Sequence, residues 1–304
     1  MTATPSMQEL LEAGVHFGHQ VRRWNPKMKR YIYGDKDGVH IIDLAKSVEG
    51  LEAAADFARK IGETGGVMVM VGTKRQAQEI IKAEAEAAGA MYIINKWIGG
   101  LFTNFEVVFK NLKKLNDWRT QKETDAWAEF TKKEQVLMSR ELVKLENVYG
   151  GISDLKTVPA VLFIVDVHKE INAVREGIKK EIPIIAICDT NVDPTLVDYP
   201  IAGNDDAIKS IEIITHAIGQ AYKEGKETGA KRAAKAAVDA QVAAEKATKD
   251  AADAQVASDK AAKEAKEAAD AKIKESEIVA MEKAAEKEEA KEIKETVVGK
   301  PAES

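Results

Sequence analysis

Five short apolar runs limit what this chain can fold into more than any other feature: residues 39–44 (VHIIDL), 67–71 (VMVMV), 91–94 (MYII), 160–165 (AVLFIV) and 184–188 (IIAIC). None alternates cleanly between apolar and polar residues, so each reads as a strand covered on both faces. Helical stretches lie between and after them, at 45–61, 74–88, 170–180 and 206–223. Strand then helix, repeated, implies right-handed crossovers. The expected fold class is α/β: a doubly wound parallel sheet with helices on both faces. With 304 residues, 45% of them hydrophobic, the chain has enough apolar surface for a sizeable core.

Residues 104–151 break the rhythm with no Pro and no Gly before Gly150. Val108, Leu112, Leu115 and Trp118, then Val136, Leu137, Leu142, Leu145 and Tyr149, recur at helical spacing. The polar centre, 120–124, reads as a turn. The expectation is an inserted antiparallel helical (coiled-coil) hairpin, closed by Gly150 and Gly151. From about Lys231 the composition collapses to Ala, Lys, Glu and Asp, and DAQVA at Asp239 recurs at Asp253. Alanine favours helix but buries little, so this tail reads as a lone helix or as disorder, with a partner-binding helix as the alternative. The domains expected are a discontinuous α/β body at 1–103 and 152–229, the hairpin at 104–151 and the tail at 230–304.

Net charge is −5, yet between His16 and Lys36 six fixed cations (Arg22, Arg23, Lys27, Lys29, Arg30, Lys36) face one acid, Asp35. Trp24, Tyr31 and Tyr33 are interleaved with them. Cations with flat aromatic surfaces suit looped or single-stranded RNA, while a solvated basic loop is the plainer alternative. A sequence pI of about 5.7 argues against indiscriminate coating of nucleic acid, so binding has to rely on local patches. The single Cys188 excludes an intrachain disulfide framework. No secretory signal or membrane-length apolar run is evident, and the chain reads as cytoplasmic.

Other motifs sit at strand ends. Gly72, Thr73, Lys74 and Arg75 open a helix after the second run, with Thr73 as the expected cap and the two cations beside exposed amides. The spacing is not that of a Walker loop and no GxGxxG occurs, so no nucleotide cofactor is expected. After the third run, Lys96 and Trp97 repeat the pairing of cation and aromatic ring beside Gly99 and Gly100. His16 and His19 read as contacts of the basic segment. Asp166, His168, Asp189, Asp193, Asp198, Asp205 and Asp206 invite a metal or general-base reading, but turn formation, and capping of the next helix by Asp205 or Asp206, is the stronger explanation. Whether Asp189, Asp193 and Asp206 hold an ion stays open at this point. No HExxH, GxSxG or CxxC pattern appears.

Long strings then carry a resemblance: LLEAGVHFGHQVRRWNPKMKRYIYG, MVGTKRQA, INKWIGGLFTNF, FTKKEQVLMSRELVKLE with its closing YGGI, and VDVHKEINAVREGIKKEIPIIAICDTNVDPTLVDYPIAGNDDAIKSI. From about Met7 to Gly225 the chain resembles the family of the bacterial second protein of the small ribosomal subunit. The resemblance implies a non-catalytic protein without cofactor, carrying a coiled-coil hairpin, bound to small-subunit rRNA between head and body. It also implies neighbouring ribosomal proteins as partners, among them the messenger-binding one, with no membrane and no homo-oligomer. The family's first motif falls on Gly14, His16, Gly18 and His19; its second falls on Asp189, Thr190, Asn191, Asp193, Pro194, Asp198, Tyr199, Pro200 and 203–206. The tail from Lys231 inherits nothing. Charge and stacking alone select the RNA contacts expected here: His16, His19, Arg22, Arg23, Trp24, Lys27, Lys29, Arg30, Lys74, Arg75, Lys96 and Trp97. The alternative is an α/β enzyme or phosphate-ligand binder using Gly72 to Arg75 with Asp189 or Asp193.

Overall fold

Five parallel strands in the order β5-β4-β6-β7-β8 carry the molecule: β4 (Met68–Val71), β5 (Met91–Ile93), β6 (Val161–Ile164), β7 (Ile184–Cys188) and β8 (Tyr199–Ala202). This computed structural model describes residues 4–124, 127 and 130–297. Residues 1–3, 125, 126, 128, 129 and 298–304, which fall in the expected body, hairpin and tail, lie outside them. The chain divides into two compact units, Met1–Ala233 and Ala234–Ser304.

Side chains alternate across each strand, and this divides the core of the first unit in two. Met68, Met70, Phe163, Ile185 and Ile187 face one side, packed with residues of helices α2 (Leu44–Glu63), α3 (Arg75–Ala88) and the start of α7 (Ile208–Val297). Val69, Val71, Leu162, Ile164 and Ala186 face the other, beneath α6 (Ile171–Lys179) and the paired helices α4 (Phe105–Glu123) and α5 (Lys132–Tyr149). Close backbone approach is needed where α2 meets α7: a Cβ on Gly225 would lie 2.1 Å from the Arg59 carbonyl oxygen.

The structure corrects several expectations. The run at 39–44 is not in the parallel sheet; β3 (Val39–Ile42) is the centre of a separate antiparallel sheet between β1 (Phe17–Gln20) and β2 (Ile32–Lys36). Its burial alternates, as a strand with one wet face requires, and the β2–β3 turn runs through Asp37 and Gly38 at positive φ. Strand β8 was not expected, since Pro200 interrupts its apolar pattern; it is the edge strand, where a missing N–H is tolerated. Thr73 does not cap α3: its hydroxyl hydrogen-bonds Glu170, and Lys74 takes the cap position. Residues 120–123 are not a turn but belong to α4, which runs to Glu123, and Thr131 opens α5 with a capping box to Glu134. Val136 and Leu137, expected inside, are about half exposed; Leu142 and Tyr149 make the buried contacts of α5. In the second unit the described residues through Val297 are helical.

Candidate nucleic-acid interface

The strand order reverses between β4 and β6, and there a crevice opens at the carboxyl ends of the strands. A cleft of about 580 Å3 lies at this end, lined by His19, Arg23, Lys74, Asp166, His168, Asn191 and Asp206. Lys74 follows β4, Asp166 follows β6, Asp189 follows β7 and Asp205 follows β8, so four strand ends deliver one charge cluster. The Lys74 ammonium lies 2.9 Å from Asp166 Oδ2, 2.7 Å from Asp205 Oδ1 and 2.8 Å from Asp206 Oδ1. Burial disfavours its charge, but Asp205 leads the surrounding carboxylates in holding its pKa above the ordinary lysine value. Lys74 is thereby committed to the fold's own acids and does not present a free cation to a phosphate.

The basic segment is tied to this crevice by its backbone. The His19 amide donates to Asp189 Oδ1 (3.1 Å) and Thr190 Oγ1 (2.9 Å), and the Asn25 amide donates to the Thr190 carbonyl at 2.8 Å. The two motifs of the family resemblance, some 170 residues apart, are therefore in contact. Gly18 makes the approach possible: a Cβ there would lie 2.6 Å from Thr190 Cγ2. Beyond it, Asn25 caps a 3-10 helix, Pro26–Tyr31, that Met28 anchors in the core. Lys27 reaches Asp193 Oδ2 at 2.5 Å and Thr195 Oγ1 at 3.2 Å. Arg22, Arg23, Lys29 and Arg30 remain exposed on this fixed scaffold.

The His19 ring completes the link. Its Nδ1 lies 3.0 Å from Asp189 Oδ2 and its Nε2 3.5 Å from Asp206 Oδ2. The hydrogen bond to Asp189 outweighs burial and raises the imidazole pKa. Asp205 is fully buried, and burial together with the Asp166 and Asp189 charges pushes its carboxyl up to about 7. Among the described residues, His19, Asp205 and Asp206 form the group that could hold a metal ion, each offering a ligand atom within 4.8 Å of the others. Asp193 is not among them; it caps the turn Pro194–Leu196 and pairs with Lys27. Neither Asp205 nor Asp206 caps α7: Asn204 Oδ1 accepts the Asp206 and Ala207 amides instead.

The remaining expected contacts divide. Arg75 and Lys96 are exposed. Trp24 is half-buried, its ring tilted against His40 at 5.4 Å between centroids, and His16 lies beside Phe17. Trp97 is buried, its Nε1 donating to Glu176 Oε1 at 3.1 Å and its ring edge-on to Phe102, so it offers no face to a base. Glu176 also accepts the Gly100 and Phe102 amides, at 2.8 and 3.0 Å. Nothing in the sequence marks it, because its partners lie more than 70 residues away. The enzyme alternative finds little chemistry here. Asp189 is saturated by His19 and Thr190, Gly72 packs against Ile81 where a Cβ would lie at 2.7 Å, and burial holds the Cys188 thiol far above its ordinary pKa.

A family model described as ribosomal protein S2 matches residues 10–225, which spans the parallel sheet, the helical pair and both motifs that meet at Thr190. The chain belongs to the ribosomal protein S2 family. This S2-family chain is 49% identical over 225 residues to the small ribosomal subunit protein uS2 of Coprothermobacter proteolyticus, covering 74% of this chain and 84% of the relative. It is 48% identical over 232 residues to uS2 of Corynebacterium kroppenstedtii, covering 76% of this chain and 81% of the relative. As an S2-family member it is a structural ribosomal protein of the small subunit and not an enzyme. Among the described residues, no helix is long and apolar enough to cross a membrane.

Proposed function

We propose that this protein binds small-subunit rRNA chiefly through the segment from His16 to Lys36, acting as a clamp that the crevice holds in shape. The observation that carries the reading is the exposure of Arg22, Arg23, Lys29 and Arg30 on a backbone pinned by Met28, Asn25 and the Lys27–Asp193 pair. Exposed cations on a rigid frame concentrate attraction for phosphates with no backbone left to order at binding. His16, His19 and Trp24 line or support the clamp, and Arg75 and Lys96 extend it along the strand ends. Lys74 and Trp97 act within the protein, the first as counter-charge and the second as a core anchor. The division into a body (1–103 and 152–229), a hairpin (104–151) and a tail (230–304) assigns the clamp to the body.

Its partners in this reading are rRNA and neighbouring small-subunit proteins, including the messenger-binding one, in the cytoplasm and without homo-oligomers. Replacing Arg22, Arg23, Lys29 and Arg30 together with Gln is expected to lower occupancy of purified small subunits in sucrose gradients while leaving the circular dichroism spectrum unchanged. The salt dependence of RNA binding should flatten as well, since each lost phosphate contact removes roughly 0.7–0.9 from the slope of log K against log salt. Unchanged occupancy with unchanged slope would remove the clamp.

A further inference from the structure

The three aromatic rings of the basic segment are placed very differently. Trp24 leans on His40, and Tyr31 is half-buried beneath the Arg30 guanidinium, 4.8 Å above its ring. Tyr33 is 83% exposed, which for so large a ring leaves nearly all of its apolar surface in water. Its backbone accounts for this. Ile32 pairs with Ile42 and Gly34 with Ile41, so two steps along β2 match one along β3 and Tyr33 is the extra residue of a bulge. Such insertions re-aim a side chain away from the sheet's own packing. The bulge lies on β2, an edge strand of the small sheet, and a Cβ at the following Gly34 would meet nothing within 4 Å, so the space beside the ring is open. Exposed Lys29, Arg30 and Lys36 flank it in sequence, with Asp35 the acid beside it.

From this arrangement we infer that Tyr33 is a stacking platform for an unpaired nucleobase of the RNA. The inference rests on the rRNA-binding reading above and assigns to it a residue that charge alone does not select. An open aromatic face beside cations suits a splayed-out base, because the ring takes the base while the cations hold the adjoining phosphates. A purely apolar protein partner would leave Lys29, Arg30 and Lys36 without counter-charges, so the flanking cations favour RNA. Phenol chemistry is not needed; the flat ring is.

The test uses small subunits carrying the full-length protein as wild type, Tyr33→Ala or Tyr33→Phe, with the unpaired rRNA bases probed by dimethyl sulfate or a carbodiimide. Since Tyr33 is exposed and makes no core contact, neither substitution should disturb the fold, and matching thermal melts check this. The expected result is that one or two bases become several-fold more reactive with Tyr33→Ala but stay protected with Tyr33→Phe. Affinity for deproteinised small-subunit rRNA should fall about tenfold with the Ala variant alone. Identical base reactivity in all three subunit preparations, each fully occupied, would overturn the stacking role and leave the rRNA reading standing. A wild-type protein that neither sediments with small subunits nor binds that rRNA would overturn both. Loss of a neighbouring protein with Tyr33→Ala, at unchanged base reactivity, would also overturn the inference and assign the ring to a protein contact.

Discussion

Glu176 gathers an indole N–H and the Gly100 and Phe102 amides onto one carboxylate, and thereby fixes the loop that launches α4. Burial by itself would raise its pKa, but these donors prevail and hold the carboxyl below its ordinary value. A depressed folded pKa means the stabilisation is fully present above the unfolded pKa near 4.5 and is lost as pH falls through the lower folded value. Glu176→Gln should therefore cost about 1–3 kcal/mol at neutral pH, as removal of a charged acceptor does. Between about pH 5 and 3 the variant should lose less stability than the wild type. Urea titrations across that range check both; parallel pH profiles would show that the donors do not depend on the charge. At this scale the sequence was only partly legible. The exposed Arg22, Arg23, Lys29 and Arg30 could be read from charge density, whereas Lys74 and Trp97 looked like ligands because a list of residues does not show the carboxylates that surround them.

Among the elements, β4, β6 and β7 were readable because strands buried on both faces must be apolar throughout. Residues 39–42 imitate them. Two isoleucines and a valine surround His40, and only the tight turn at Asp37 and Gly38 shows that this strand turns back on β2. The seam between β1 and the loop after β7 depends on Gly18. Gly18→Ala would drive a methyl into Thr190 Cγ2 and should destabilise the protein by about 1–3 kcal/mol. Adding Thr190→Ser, which removes that methyl but keeps the hydroxyl that accepts from the His19 amide, should recover part of the loss. A double-mutant cycle on thermal melts measures the coupling; strict additivity would show that the two residues do not touch.

For the molecule as a whole, the described members of both core clusters and the described contacts of the crevice lie in the first unit. A chain ending at Ala233 should thus unfold cooperatively, with a midpoint within a few degrees of the full-length protein, as differential scanning calorimetry would show. A broad or lost transition would mean that the tail supports the body. The contact between the basic segment and the loop after β7 carries one more consequence. Ribosomes make proteins from the amino end, so residues 16–36 emerge early, yet the groups that hold them in place, Asp189 and Thr190 on the backbone and Asp193 on the Lys27 side chain, come more than 150 residues later. A nascent or truncated chain holds the cations but not their geometry. The surface proposed to face RNA is thus assembled only when synthesis has passed the loop after β7, and on that proposal finished molecules are favoured over short fragments as building blocks for new subunits.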